Sequence, residues 1–250
     1  MIYVINLDRS TDRLASFRAA NAHLEFRRFP AIDGSKLEIS LVHDVPANAP
    51  EDRLIEPGVE QQMPRPAIGN ALSHLAIWRM ALTSSEPTTI LEDDAVVHRD
   101  FLGLAGRVIR VLPADWAMIV WGWNFDAPIQ FQILPGVTPC RVFFDQNALR
   151  RSVSGFQTLP LSPVPYRHQG SFGTIGYSVS PGGARLLIDT IFPMRKETAV
   201  ACPSMGRLQA LEGLDVALHR VYAGGKAYVC LPPLVVTKND RALSTIQRSG

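Results

Sequence analysis

Short apolar runs alternate with amphipathic stretches along the first part of this chain and predict strands alternating with helices. Ile2 to Leu7 reads as a buried first strand, short, apolar and rich in β-branched residues. It breaks at Asp8-Arg9-Ser10, and Ser10 or Thr11 suits the cap of a helix from about Asp12 to Ala22. A second strand is expected over Glu25 to Phe29, ended by Pro30 and followed by Ala31-Ile32-Asp33-Gly34. Strand, helix, strand in that order favours a parallel sheet with a right-handed crossover. Ala71, Leu72, Leu75, Trp78 and Leu82 form the core-facing stripe of a helix resuming at Asn70. Thr88-Thr89-Ile90-Leu91 predicts a strand that runs straight into Glu92-Asp93-Asp94, and Ala117 to Trp121 predicts another. Gly173 to Ser180 is a further strand, with glycines where a backbone must approach something closely. Ser180 is a good N-cap before Pro181 at the first position of a helix to about Ile191. Another helix is expected over Asp215 to Ala223, and Tyr228 to Val236 supplies one or two final strands.

Two segments break this pattern. Residues 43–66 hold Pro46, Pro50, Pro57, Pro64 and Pro66 amid scattered charges and predict a long loop. Residues 126–172 are irregular and predict loops and short strands over one face of the sheet. The polar tail, 237–250, is expected to be loose. Together these elements predict one α/β domain over residues 1–250, with a mixed, mainly parallel sheet flanked by helices.

Composition narrows the function classes. At 250 residues, with 46% hydrophobic and 19% charged, the balance is that of a globular protein. A net charge of +2 leaves no general nucleic-acid footprint. Most basic residues are arginine, the side chain best shaped for bidentate phosphate contacts, although a high-GC coding bias gives the same excess. Cys140, Cys202 and Cys230 are far apart and odd in number, which fits neither a disulfide framework nor zinc-ligand spacing and suits a reducing, cytosolic setting. Charged residues arrive too early at the N-terminus for a signal peptide, and no run approaches the ~18 apolar residues of a membrane span. Any membrane association is therefore expected to be peripheral.

The chemistry centres on Glu92-Asp93-Asp94. An apolar strand ending in carboxylates delivers negative charge to the carboxyl edge of a sheet, where open α/β folds bind ligands. Two carboxylates about 4 Å apart repel by roughly 4 kcal/mol at an effective dielectric near 20. Such a cluster calls for a hard cation, Mg²⁺ or Mn²⁺, because every ligand is oxygen; otherwise it is a solvated turn. The sequence has no phosphate-binding glycine loop with lysine, no dinucleotide glycine turn and no nucleophile elbow. What is left is a nucleotide-diphosphate donor held by metal.

Five segments in order then resemble glycosyltransferase family 25, the lipopolysaccharide and collagen galactosyltransferase group. They are Tyr3 to Arg13, Arg28 to Gly34, Ala71 to Trp78, Ile90 to Asp94, and Gly173 to Ser180, the last followed by Gly183-Ala184 and Asp215. The resemblance implies a GT-A-like fold and inverting transfer of a hexose, galactose above all, from a UDP-sugar to a lipopolysaccharide or other surface-glycan acceptor. The lack of a signal peptide, the small size and the arginine-rich composition suggest a bacterial enzyme at the cytoplasmic membrane face. The resemblance also implies that Glu92-Asp93-Asp94 stands in for an Asp-x-Asp metal motif, with Asp94 as the first ligand, Glu92 toward the ribose or a metal-bound water, and Asp93 either a ligand or turned to a helix N-terminus.

Inverting transfer needs a base within hydrogen-bond reach of the acceptor hydroxyl. Asp215 matches the family's late aspartate and is the candidate, against its readings as an N-cap or a third metal ligand; Glu212 is the reserve. Asn6, Arg9 and Arg13 follow the first strand, where a nucleoside is expected, and the two arginines share a helix face if the helix starts early. Asp33 could receive a uracil or ribose hydroxyl, or form an Asx turn with Gly34. Ser73 and His74 are expected as donor-site contacts or as satisfied packing residues. Tyr177, Trp121 and Trp123 are candidates for stacking on a sugar or for the core, and His219, one turn after Asp215, for completing a metal site. Two other readings remain open at this point: a metal-dependent phosphohydrolase of sugar phosphates or nucleotides, and a non-catalytic nucleotide-sugar-binding homologue.

Overall fold

The computed structural model describes residues 1–38, 54–196 and 199–238. In chain order its first elements are β1 (Ile2–Asn6), α1 (Thr11–Ala20), β2 (Arg27–Pro30), α2 (Arg65–Ala81), β3 (Thr88–Glu92) and β4 (Ala95–Val97). The middle holds α3 (Phe101–Arg110), β5 (Met118–Gly122), β6 (Ile129–Leu134), β7 (Thr138–Val142), α4 (Gln146–Phe156) and β8 (Val164–Gly170). Then come β9 (Gly176–Val179), α5 (Pro181–Ile191), β10 (Val200–Cys202), β11 (Arg207–Gln209), α6 (Leu214–Ala217), α7 (His219–Ala223), β12 (Ala227–Leu231) and β13 (Val235–Thr237).

Nine strands form the main sheet in the order β2-β1-β3-β9-β5-β12-β8-β6-β7. β1 pairs in parallel with β2 and β3, and β5 with β12; the other pairings are antiparallel. Six strands thus point one way, and β9, β8 and β7 the other, so the sheet is mixed with one dominant direction. Apolar residues of the central strands alternate between two cores. Ile90 packs into the core shared with α2 and α5, and its neighbour Leu91 into the core shared with α3. Burial on both faces is why these strands read as continuous apolar runs.

The edge nearest the site is built by close backbone approach. A Cβ on Gly34 would sit 1.8 Å from the Arg65 carbonyl oxygen, and one on Gly69 would sit 2.5 Å from the Gly34 nitrogen. Glycine at both positions lets the Asp33-Gly34 turn lie directly on α2. Ser73 clamps the same turn: its hydroxyl accepts from Ile32 N at 2.8 Å and donates to the Gly69 carbonyl at 2.7 Å.

Several expectations need correction. α2 begins at Arg65, five residues before Asn70, because Pro66 lies in the first turn, where the missing N–H has no helical partner to lose. Only the part of the 43–66 segment from Leu54 onward lies within the described residues, and it is anchored: Ile55 bridges to Met194, and Val59 and Met63 are buried. Residues 126–172 do not lie over a face of the sheet. They extend it with β6, β7 and β8 and carry α4, capped by Asp145, whose carboxylate accepts from Asn147 N and Ala148 N. The helix expected over Asp215 to Ala223 is present as two short turns joined at Leu218. Of the 237–250 tail, Thr237 closes β13, Lys238 follows it, and the rest lies outside the described residues.

Candidate active site

β1 and β3 run in parallel, so Asn6 and Glu92 end at the same sheet edge. β9 runs against both its neighbours, which brings its leading residues, Gly173-Thr174-Ile175, to that edge as well. A cleft of about 710 Å³ opens there. Its walls include Asn6, Arg9, Arg13 and Asp33 from the first segments, Glu92-Asp93-Asp94, Glu212 and Asp215, and Thr237-Lys238 from the end of the described chain. Residues more than 200 positions apart thus meet at the carboxyl end of β1 and β3, the place where an open α/β sheet binds its ligand.

The acidic trio does not act as a unit. Asp93 turns toward α1 and forms an ion pair with Arg13; Asn6 Nδ2 also donates to it at 2.7 Å. Asn6 is itself fixed from behind by Arg28, whose Nε donates to its side-chain oxygen at 3.0 Å and whose guanidinium also reaches its carbonyl. Glu92 turns the other way and accepts a short hydrogen bond from the Thr174 hydroxyl. Asp94 accepts from Thr237 Oγ1 at 3.1 Å, while its Oδ1 is enclosed and has no hydrogen-bond partner. Burial, with the charge of Asp94 next, pushes the Glu92 carboxyl up to about 8. Burial likewise raises Asp94, against the pull of Arg13.

That electrostatic picture bears on a divalent cation. Two carboxyls held in an enclosed place resist ionising together, and an orphaned oxygen such as Asp94 Oδ1 costs about 1–3 kcal/mol if nothing meets it. A hard cation would relieve both. Among the described residues no three His, Cys, Asp or Glu side chains stand together as a ligand set. Asp94, with Glu92 behind it, fits a Mg²⁺ or Mn²⁺ that takes one or two carboxylates and fills its remaining positions from phosphate and water. Asp93, committed to Arg13, does not belong to that set.

Asp215 lies in the first turn of α6 and is not its N-cap, a place held by Gly213. Its Oδ2 accepts from Gly173 N at 3.1 Å and its Oδ1 from Val216 N at 2.9 Å. The carboxylate is therefore aimed by the backbone on both sides and faces the cleft that the trio lines.

Other expected contacts lie elsewhere. Arg9 falls in the turn before α1, so it shares no helix face with Arg13, and it pairs with Asp33. Asp33 also caps the 3₁₀ turn that starts at Gly34, accepting from Ser35 N, so its Asx-turn role is present. Ser73 and His74 are fully buried, and Tyr177 is 1% exposed; none lines the cleft. The Tyr177 hydroxyl accepts from Trp78 Nε1 at 2.9 Å and shares a hydrogen bond of 2.6 Å with His74 Nδ1. Burial pushes His74 down to about 3, so it stays neutral. This is a core network beneath the site. Trp121 donates to Ser178, and Trp123 stacks on Phe125; both are core. His219 Nδ1 donates to the Asp215 carbonyl at 3.0 Å and its ring packs on Phe172 and Tyr222, away from the cleft.

Sequence reading passed over Thr237, Lys238, Arg28 and Asn124. The first two fall in a stretch read as loose tail, and Asn124 lies just past the strand expected over Ala117 to Trp121. Thr174, which holds Glu92, lay inside the Gly173-to-Ser180 motif without a role.

A mixed, Rossmann-like α/β sheet with a carboxylate-lined cleft at its carboxyl edge is consistent with a Rossmann-like glycosyltransferase fold. Residues 1–202 match the family described as Glycosyltransferase family 25 (LPS biosynthesis protein). The chain belongs to glycosyltransferase family 25. A relative from Anopheles gambiae, described as a glycosyltransferase 25 family member, is 35% identical over 201 residues. That match takes in 75% of this chain and 28% of the relative, so the chain spans little more than a quarter of the relative's length.

Proposed function

We propose that this chain is an inverting hexosyltransferase that moves a sugar, galactose above all, from a UDP-sugar to a lipopolysaccharide or other surface-glycan acceptor. The observation that carries this reading is the placement of Asp215 in one cleft with Asp94, whose Oδ1 is enclosed and unpartnered. Asp215 is the base: it takes the proton from the acceptor hydroxyl as that oxygen attacks the anomeric carbon. Its two backbone hydrogen bonds fix the carboxylate before the acceptor arrives. Asp94, backed by Glu92, holds Mn²⁺ or Mg²⁺, which when bound offsets the charge of the departing diphosphate. Asn6 and the Arg9–Asp33 pair border the nucleoside end, beside the turn clamped by Ser73. No helix among the described residues is long and apolar enough to cross a membrane. In this reading a lipid-linked acceptor is met at the inner face of a bacterial inner membrane.

The test is a panel of UDP- and GDP-sugars, each incubated with the protein with and without Mn²⁺, reading release of the nucleoside diphosphate. Metal-dependent release from one UDP-hexose is expected, and Asp94→Ala should abolish it. Activity that survives in Asp94→Ala or in excess EDTA removes the metal role. Phosphate released from simple phosphate esters, with no turnover of any sugar nucleotide, favours a phosphohydrolase.

A further inference from the structure

The cleft is lined by seven carboxylates, Asp12, Asp33, Glu92, Asp93, Asp94, Glu212 and Asp215, against three cations, Arg9, Arg13 and Lys238. A diphosphate entering so acidic a space needs positive charge that is not already spent. Arg9 is paired with Asp33 and Arg13 with Asp93. Lys238 alone, among the described residues, lines the cleft as a cation with no carboxylate partner. Its backbone is nonetheless held firmly. The Lys238 carbonyl accepts from Gln146 Nε2 at 3.2 Å and from Arg150 Nε at 2.7 Å, both on α4. The residue before it, Thr237, is zipped to Ala95 across β13 and β4 and donates to Asp94. The main chain is thus fixed beside the carboxylate read as the metal ligand, while the side chain stays exposed.

We propose that the Lys238 ammonium binds the diphosphate of the sugar-nucleotide donor, outside the 1–202 stretch that matches the family. The inference rests on the reading of this cleft as a donor site. When the bond from the anomeric carbon to the β-phosphate oxygen breaks, its electron pair stays on that oxygen. The ammonium meets the new charge by hydrogen bonding and gives up no proton. An ammonium suits this place because it is a compact charge with three donors on a flexible stem, able to follow the phosphate as it leaves.

Calorimetric titration of the full chain with UDP and with uridine, both in Mn²⁺, tests it. Lys238→Ala should weaken UDP by about tenfold or more, as for loss of a charged hydrogen bond, and leave uridine and the melting temperature unchanged. Lys238→Arg should recover most of the UDP affinity, and the alanine variant should show a shallower salt dependence. UDP binding equal to wild type in Lys238→Ala, with Asp94→Ala still impaired, overturns the lysine role and leaves the donor site standing. Equal weakening of UDP and uridine also overturns it, since the effect is then not on the phosphates. Wild-type protein that binds neither UDP nor GDP with Mn²⁺ removes the donor reading and this inference together.

Discussion

Thr237 and Asp94 lie 143 residues apart in sequence, and the Thr237 hydroxyl donates to Asp94 Oδ2 at 3.1 Å. Thr237 is fully buried, and the pairing of β13 with β4 sets it opposite Ala95, next to the carboxylate. One oxygen of Asp94 is thereby fixed and the other left without a protein partner. Thr237→Val keeps the shape and deletes the donor, and should weaken Mn²⁺-dependent UDP binding by about tenfold. Thr237→Ser should restore it. Identical affinities in the valine and serine variants would show that Asp94 does not depend on this hydroxyl.

The raised Glu92 carboxyl predicts a pH dependence of stability with a definite sign. Burial lifts its pKa from 4.5 to about 8 in the folded chain. Between those values the folded state holds a proton that the unfolded state has released, so stability falls as pH rises. In EDTA the melting temperature should drop from about pH 5.5 to about pH 8.5, and Glu92→Gln should flatten that slope. Mn²⁺ favours the ionised form and should bind more tightly as pH rises through the same window. A melting temperature that climbs with pH in EDTA, unchanged by Glu92→Gln, contradicts this assignment.

Tyr177, with His74 and Trp78, predicts the opposite kind of effect: stability without affinity. Tyr177→Phe leaves the buried Trp78 Nε1 with no acceptor and should cost about 1–3 kcal/mol in urea unfolding. Donor affinity should stay within about twofold of wild type, because none of the three lines the cleft. A large loss of UDP affinity at full stability would return Tyr177 to the binding site.

What could be read from the sequence follows what burial does to a strand. β1, β3, β5 and β9 are enclosed on both faces, so they stand out as apolar runs, and a charge run directly after one of them marks a sheet edge. β8 reads Val-Pro-Tyr-Arg-His-Gln-Gly, half exposed and without clean alternation, and so it was left undivided in a stretch of expected loops and short strands. Of the prolines that suggested a loop before Asn70, Pro64 and Pro66 instead open α2. Of the site, the carboxylates and Asp215 were legible because their charge is conspicuous. For His74 and Tyr177 both a site contact and a packing role stayed open, and both are in the core, since a motif names a residue without showing which face of its element it occupies. Thr237 and Lys238 stayed invisible because nothing local tells a strand of three residues from a tail.

The β4–β13 pairing also sets an order of events for a chain emerging from the ribosome. β1, α1 and β2 can dock on one another early, since β1 and β2 lie close in sequence, and β3 joins them once it has been made. β9 and β5 follow. Asp94, in contrast, waits for residue 237 before its hydroxyl partner exists, so the acidic edge stays open to water until that residue, 143 positions on, has been made. Folding of the scaffold and completion of the site are therefore separate steps, with the second tied to the arrival of the last described strand.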